Sequence, residues 1–136
     1  MVWDKRPKKA NQPEFKMVRS LGKSQIGDII QAVSNYTGLV AALKTFNKAE
    51  VKLDFLIDEM KIHMFCDHPN ILPAYGYHIS KDWVYLVMEV GECNLYDRLV
   101  KYAPFDEATA ADYIFQVTSG VAYLHELGVM HRDIKP

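Results

Sequence analysis

The stretch His131-Arg132-Asp133-Ile134-Lys135-Pro136 places a carboxylate and an ammonium group two positions apart. An aspartate on a loop can orient an attacking hydroxyl and accept its proton, and a lysine beside it can neutralise charge on a transferred group. Upstream, Lys44 stands in the apolar run Leu39 to Phe46. Glu59 stands in Asp58-Glu59-Met60-Lys61-Ile62, and glycines bound the turn Gly22-Lys23-Ser24-Gln25-Ile26-Gly27. Glycine lets main-chain N–H groups come close to a phosphate. A strand lysine held by a helix carboxylate can reach the same phosphates. Taken singly, each signal has an ordinary reading: a turn glycine, a surface lysine, a solvated glutamate, a chance tripeptide. Taken in order along the chain, they supply the parts that phosphoryl transfer needs.

Those parts must be positioned by regular elements, and the hydrophobic pattern supplies them. Phe15 to Leu21 alternates apolar and polar residues, with Val18 off-phase, which predicts a strand. Ile29 to Val33 and Leu39 to Phe46 predict two more, separated by the turn-forming Ser34-Asn35-Tyr36-Thr37-Gly38. From Glu50 to Cys66 the period lengthens. Val51, Leu53, Leu56, Ile57, Met60 and Met64 recur at helical spacing, and Asp67-His68-Pro69-Asn70 ends the run. Ile71 to Ile79 and Trp83 to Val90 predict two further strands around Ser80-Lys81-Asp82.

The remainder reads as helical. Leu95 to Lys101 is a short candidate, and Asp106 can cap a longer helix with Glu107 in its first turn. Ala110, Ile114, Val117, Val121 and Leu124 form that helix's apolar stripe, and Gly128 suits its C-terminal cap.

From Phe15 onward the sequence resembles the protein kinase family. His131 to Pro136 matches the pattern H-R-D-[IL]-K-P, Ala41-Ala42-Leu43-Lys44 looks like V-A-I-K, and Asp58 to Ile62 followed by His68-Pro69-Asn70-Ile71-Leu72 looks like the regulatory helix and its loop. The resemblance implies an α+β, protein-kinase-like fold: a five-stranded antiparallel N-lobe sheet with one regulatory helix, then the first helices of an incomplete helical C-lobe. It implies a flexible basic arm over 1–14 and a partial kinase domain over 15–136, divided into an N-lobe at 15–90 and hinge plus early C-lobe at 91–136. Lys44 would anchor phosphates, Glu59 would pair with it, Asp133 would be the base and Lys135 would steady the phosphate. ATP would lie against Gly22, Ser24, Gly27, Ile29, Ala42, Met88 as gatekeeper, Glu89 and Gly91. Lys135 after the aspartate is the serine/threonine signature, and His68 to Leu72, Tyr75-Gly76-Tyr77 and Phe105-Asp106-Glu107 look similar to Aurora-like kinases.

Two departures bear on function. Ser24 stands where the glycine-rich pattern has its middle glycine, which adds a side chain near the phosphates. The family's magnesium ligands would lie beyond Pro136, so the 136-residue piece alone is expected to be an inactive fragment of a kinase, with Mg2+ bound only by a complete domain. Its long C-lobe helix would then face water, open to self-association or a partner. A kinase-like module that binds nucleotide or a partner without turnover is the alternative. Metal binding through His63, Cys66 and His68 is a third, though no fourth ligand stands near them. By the kinase register His131 is a packing residue.

Composition agrees with an intracellular globular domain. Hydrophobic residues are 49% and charged residues 24%, enough for both a core and a solvated surface. A net charge of −1 argues against nucleic acid or membrane as a general partner. Two widely separated cysteines make no disulfide framework, and no apolar run is long enough to span a bilayer. A cytoplasmic or nuclear location and a protein substrate with serine or threonine follow from that reading.

Overall fold

A computed structural model describes residues 15–24 and 27–136. Residues 1–14, assigned above to a basic arm, lie outside the described residues, as do Gln25, Ile26 and the side chain of Ser24. The element order is β1 (Phe15–Ser24), β2 (Gly27–Ser34), β3 (Val40–Asn47), α1 (Leu53–Phe65), β4 (Ala74–Ile79), β5 (Trp83–Met88), α2 (Leu95–Tyr102) and α3 (Glu107–Glu126). Two compact units result. One holds the described residues up to Phe65 together with Pro73–Val90, and the other holds Cys66–Leu72 with Gly91–Pro136.

The first unit is a five-stranded sheet of order β1-β2-β3-β5-β4, with every neighbouring pair antiparallel. Val18, off-phase in the sequence, falls at a register shift between Met17 and Arg19, where an extra residue resets the alternation of β1. The β2–β3 turn is closed by buried Ser34, whose hydroxyl accepts the amides of Tyr36 and Thr37, both at 3.3 Å. Gly38 supplies the left-handed φ of 72° that this turn needs.

Period-two alternation sorts the strands' side chains onto two faces. Ala42 and Phe46 of β3 join Val84, Leu86 and Met88 of β5 and meet Leu56 and Met60 of α1. The opposite face gathers Ala32, Ala41, Leu43 and Val87, with Phe15 and Tyr75 packed against them. Leu43, Met60 and Val84 are the largest fully buried side chains, and burial of each stabilises the unit by roughly 1.5–3 kcal/mol.

Several boundaries differ from the sequence expectation, with β1 running on to Ser24 and β2 starting already at Gly27. Helix α1 starts at Leu53, not Glu50, because Asn47 winds residues 47–50 into a side-chain-capped turn. The Asn47 Oδ1 accepts the Ala49 amide at 3.0 Å, and its Nδ2 donates to Glu50 Oε1 at 3.1 Å. Strand β4 starts at Ala74, not Ile71, because Ile71 is drawn into a turn in which its amide donates to His68 O at 3.0 Å. Pro73, with no N–H, then stands ahead of the ladder. Strand β5 ends at Met88 rather than Val90.

In the second unit, α2 is capped by Asn94, whose Oδ1 accepts the Asp97 amide at 2.7 Å. Asp106 caps α3 by accepting the Thr109 amide at 2.6 Å. Gly128 ends α3 at φ 72°, and Val129 N donates back to Leu124 O at 2.8 Å. Of the expected α3 stripe only Leu124 is buried, whereas Ile114 is 66% and Val117 41% exposed. No described helix is long and apolar enough to cross a membrane.

Candidate functional site

Lys44 sits in the middle of β3, opposite Ile29 of β2 and Leu86 of β5. Alternation puts it on the same face as Ala42 and Phe46, the face that α1 covers. Lys44 is half-buried, and its Nζ lies 5.3 Å from the centroid of the Phe46 ring, a cation–π distance. Glu59 is on α1 next to buried Met60 and is itself exposed. Among the described residues no ion pair joins Lys44 to Glu59.

On the face of Lys44 the first unit gathers apolar side chains. Ala42 and Met88 are buried in the α1-side cluster, and Leu21, Ile29 and Val90 pack against it half-buried. Ala42 and Met88 are direct partners across β3 and β5. Glu89 follows on the exposed strand end, its amide donating to Pro73 O at 3.0 Å.

The glycine-bounded turn is tied to β3 by a residue that the sequence reading passed over. Thr45, 5% exposed, accepts the Asp28 amide at 3.0 Å through Oγ1 and donates to Asp28 O at 3.2 Å. A Cβ on Gly27 would lie 1.8 Å from Thr45 O, so only glycine fits there. Gly22, by contrast, faces open space within 4 Å of where its Cβ would be. The signal for Thr45 was the one hydroxyl in a mostly apolar strand, a pattern that calls for a partner if the residue is buried.

The second unit carries Gly91, which is exposed, and the loop 129–136. Lys135 Nζ donates to Asp133 Oδ2 at 2.8 Å, and both side chains are mostly solvent-exposed. The Asp133 amide donates to His131 Nδ1 at 3.2 Å. Between them Arg132 has φ 63°, the sole non-glycine residue in the left-handed region among the described residues. Holding a side-chain residue there costs on the order of 1 kcal/mol, a cost the surrounding turn must offset. His131, expected to pack, is exposed and works instead as an acceptor within its own loop.

His63, Cys66 and His68 do not serve as a metal centre: no group of three or more His, Cys, Asp or Glu side chains among the described residues can hold an ion. Burial pushes the Cys66 thiol up, which disfavours the thiolate a metal needs. His68 is occupied otherwise. Its ring stacks on Tyr123 at 5.0 Å, its Nδ1 accepts the Asn70 amide at 3.1 Å, and its Nε2 is 3.4 Å from Ser119 Oγ. The Tyr123 hydroxyl accepts the Asp67 amide at 2.9 Å, so the segment after α1 is clamped to α3.

Comparison with known sequences bears on what these residues do. The profile of the protein kinase domain matches residues 15–136. Aurora kinase of Schizosaccharomyces pombe is 37% identical over 127 residues, which cover 90% of this chain and 36% of that protein. Aurora kinase of Saccharomyces cerevisiae is 33% identical over 129 residues, 90% of this chain and 35% of the relative. Calcium-dependent protein kinase 5 of Plasmodium falciparum is 38% identical over 118 residues, 85% of this chain and 21% of the relative. The chain thus spans about a third of the length of the Aurora kinases it matches.

Proposed function

The chain belongs to the protein kinase domain family, and from that premise we propose that the protein transfers the γ-phosphoryl group of ATP to serine or threonine hydroxyls of proteins. The observation that carries this reading is the loop in which Asp133, bonded to Lys135 at 2.8 Å, follows His131-Arg132 on an irregular segment. Asp133 accepts the proton of the attacking hydroxyl, and Lys135 shifts from Asp133 to the transferred phosphoryl oxygens as negative charge grows there. The lysine two positions after the aspartate is the mark of the serine/threonine class rather than the tyrosine class. A cytoplasmic or nuclear place of action goes with a protein substrate of that kind.

Nucleotide binding falls to the first unit. The half-buried ammonium of Lys44 beside the surface of Ile29, Ala42 and Met88 suits a purine carrying phosphates. Gly22, Ser24 and Gly27 offer main chain to the phosphates, Glu89 offers main chain to the base, and Glu59 is the carboxylate that holds Lys44 when paired. Magnesium, when bound, would supply positive charge to offset that of the phosphates. No cluster among the described residues fits that ion, so its ligands are not assigned to this chain.

A second reading, a module that binds nucleotide or a partner without turnover, is favoured by Ser24 in place of the pattern's glycine. One experiment separates the two. The full natural protein is assayed for ATP binding and for phosphoryl transfer to serine, threonine and tyrosine peptides, beside Lys44→Met and Asp133→Asn. Transfer to serine or threonine, lowered about a hundredfold or more by either substitution, is expected. ATP binding with no transfer by the unmutated protein would leave only the binding module.

A further inference from the structure

We propose that the hollow between α2 and the start of α3 docks an acidic peptide segment of a partner protein, with one apolar side chain seated among aromatic rings and a neighbouring carboxylate bound by Arg98. The hollow has a volume of about 310 Å³ and lies wholly within the second unit. Tyr102, Pro104, Phe105 and Tyr113 wall it. The rings of Phe105 and Tyr113 form a tilted pair with centroids 5.3 Å apart, so this wall is in place before anything binds. Such a volume is at the small end for a ligand pocket and suits one anchoring side chain of a peptide. None of these residues is assigned above to ATP or to phosphoryl transfer, so the proposal goes beyond the kinase reading and does not depend on it.

Charge selects the occupant. Two charged side chains line the hollow, Arg98 and Asp106. Asp106 is committed to the cap of α3, where its Oδ1 accepts the Thr109 amide at 2.6 Å. Arg98 has no comparable commitment. Its ion pair with Glu92 is long, at 3.7 Å, and Glu92 is 86% exposed, so water competes for both partners. The Arg98 guanidinium is held instead over the ring of Tyr102 at 5.8 Å, and Lys101 Nζ reaches the same ring at 5.0 Å. Two cations are thus kept beside one aromatic wall, and a guanidinium over a ring can still donate in its own plane to a carboxylate. A basic peptide would meet like charge there, and a purely apolar one would leave both cations unmatched.

The test is binding of labelled synthetic peptides to the full natural protein, read by fluorescence anisotropy. One panel carries a single leucine, phenylalanine or tryptophan flanked by glutamates. A second has lysine for every glutamate, and a third has alanine for the apolar residue. The first panel should bind, and the other two should bind at least about tenfold more weakly. Arg98→Glu should weaken the first panel by a similar factor and admit the lysine panel, a reversal that a merely structural effect would not produce. Lys101→Glu, at an exposed position, should shift binding in the same direction by a smaller factor, and it carries the test if Arg98→Glu fails to fold. Equal binding of the glutamate and lysine panels, or binding by none of them, overturns the proposal. So does an Arg98→Glu protein that holds the glutamate panel as well as the unmutated one. A Tyr102→Ala protein of lowered thermal stability, with no panel bound by the unmutated protein, would place another segment of the protein itself in the hollow and overturn it as well. Absence of phosphoryl transfer would overturn the kinase reading and leave the peptide result standing.

Discussion

At the scale of single residues, two glycines that look alike in the sequence have different reasons to be there. Gly22 has open space where a side chain would go, whereas a side chain on Gly27 would collide with the Thr45 carbonyl at 1.8 Å. The second glycine is therefore required by the packing of β2 on β3 before any phosphate is considered. Gly27→Ala should force the turn away from β3, break the paired bonds between Asp28 and Thr45, and cost about 1–3 kcal/mol. Gly22→Ala should cost less than Gly27→Ala. Denaturant unfolding of the two variants measures this, and equal losses would show that the close approach of Gly27 is not what matters. Thr45 could not be read from the sequence as the other half of this contact, because its partner lies 17 residues away. The family, by comparison, was legible because its patterns around Lys44 and Asp133 are carried in short runs of adjacent residues.

Elements were legible where a local pattern determines them and misread where a distant or side-chain contact intervenes. The alternation of β1, including the fault at Val18, survives as a strand with a register shift at that residue. The start of α1 was misplaced because Asn47 spends its amide on residues 49 and 50, an arrangement that helix periodicity does not register. The clamp of Asp67 on Tyr123 joins residues 56 apart and left no trace in either local pattern. The cap of α3 was legible, since Asp106 precedes the apolar stripe directly, and it makes a pH prediction. Two hydrogen bonds from Thr109, the backbone one foremost, hold the Asp106 carboxyl below its usual range. A carboxyl depressed in the folded state stabilises at pH above its unfolded value, and the contribution is lost as pH falls through the folded one. Helicity of α3 should therefore weaken on acidification into and below the ordinary carboxylate range. Asp106→Asn, which retains an acceptor that does not titrate, should flatten that part of the profile. Circular dichroism against pH for both proteins checks it, and identical acid limbs would assign the loss to other groups.

At the scale of the whole chain, the two units differ in what holds each one together. Of the buried apolar side chains, those from Ala32 through Met88 all belong to the first unit, and Leu124 alone belongs to the second. The first unit has two clusters on opposite faces of one sheet, so its central strands β3 and β5 are covered twice. In the second, α3 is held by capping, by the Tyr123 bond and stack, and by Gly120, which sits where a Cβ would come within 3.0 Å of Asn70 O. Its outward residues Ile114 and Phe115 are 66% and 71% exposed. This contrast was half legible: the apolar stripe of α3 is plain in the sequence, but periodicity reports which residues share a face and not whether anything covers it. Because opening free energy follows buried apolar contact, hydrogen exchange should be slowest in β3 and β5. The amides of α2 and α3 should exchange earlier, as a separate set. Replacing Ile114 and Phe115 with glutamate should leave the slow exchange of β3 and β5 unchanged, since neither side chain contributes to their clusters. Exchange measured by mass spectrometry on both forms decides the point. If α3 proved as protected as β3, caps and one aromatic clamp would be holding the second unit as firmly as a two-faced core holds the first.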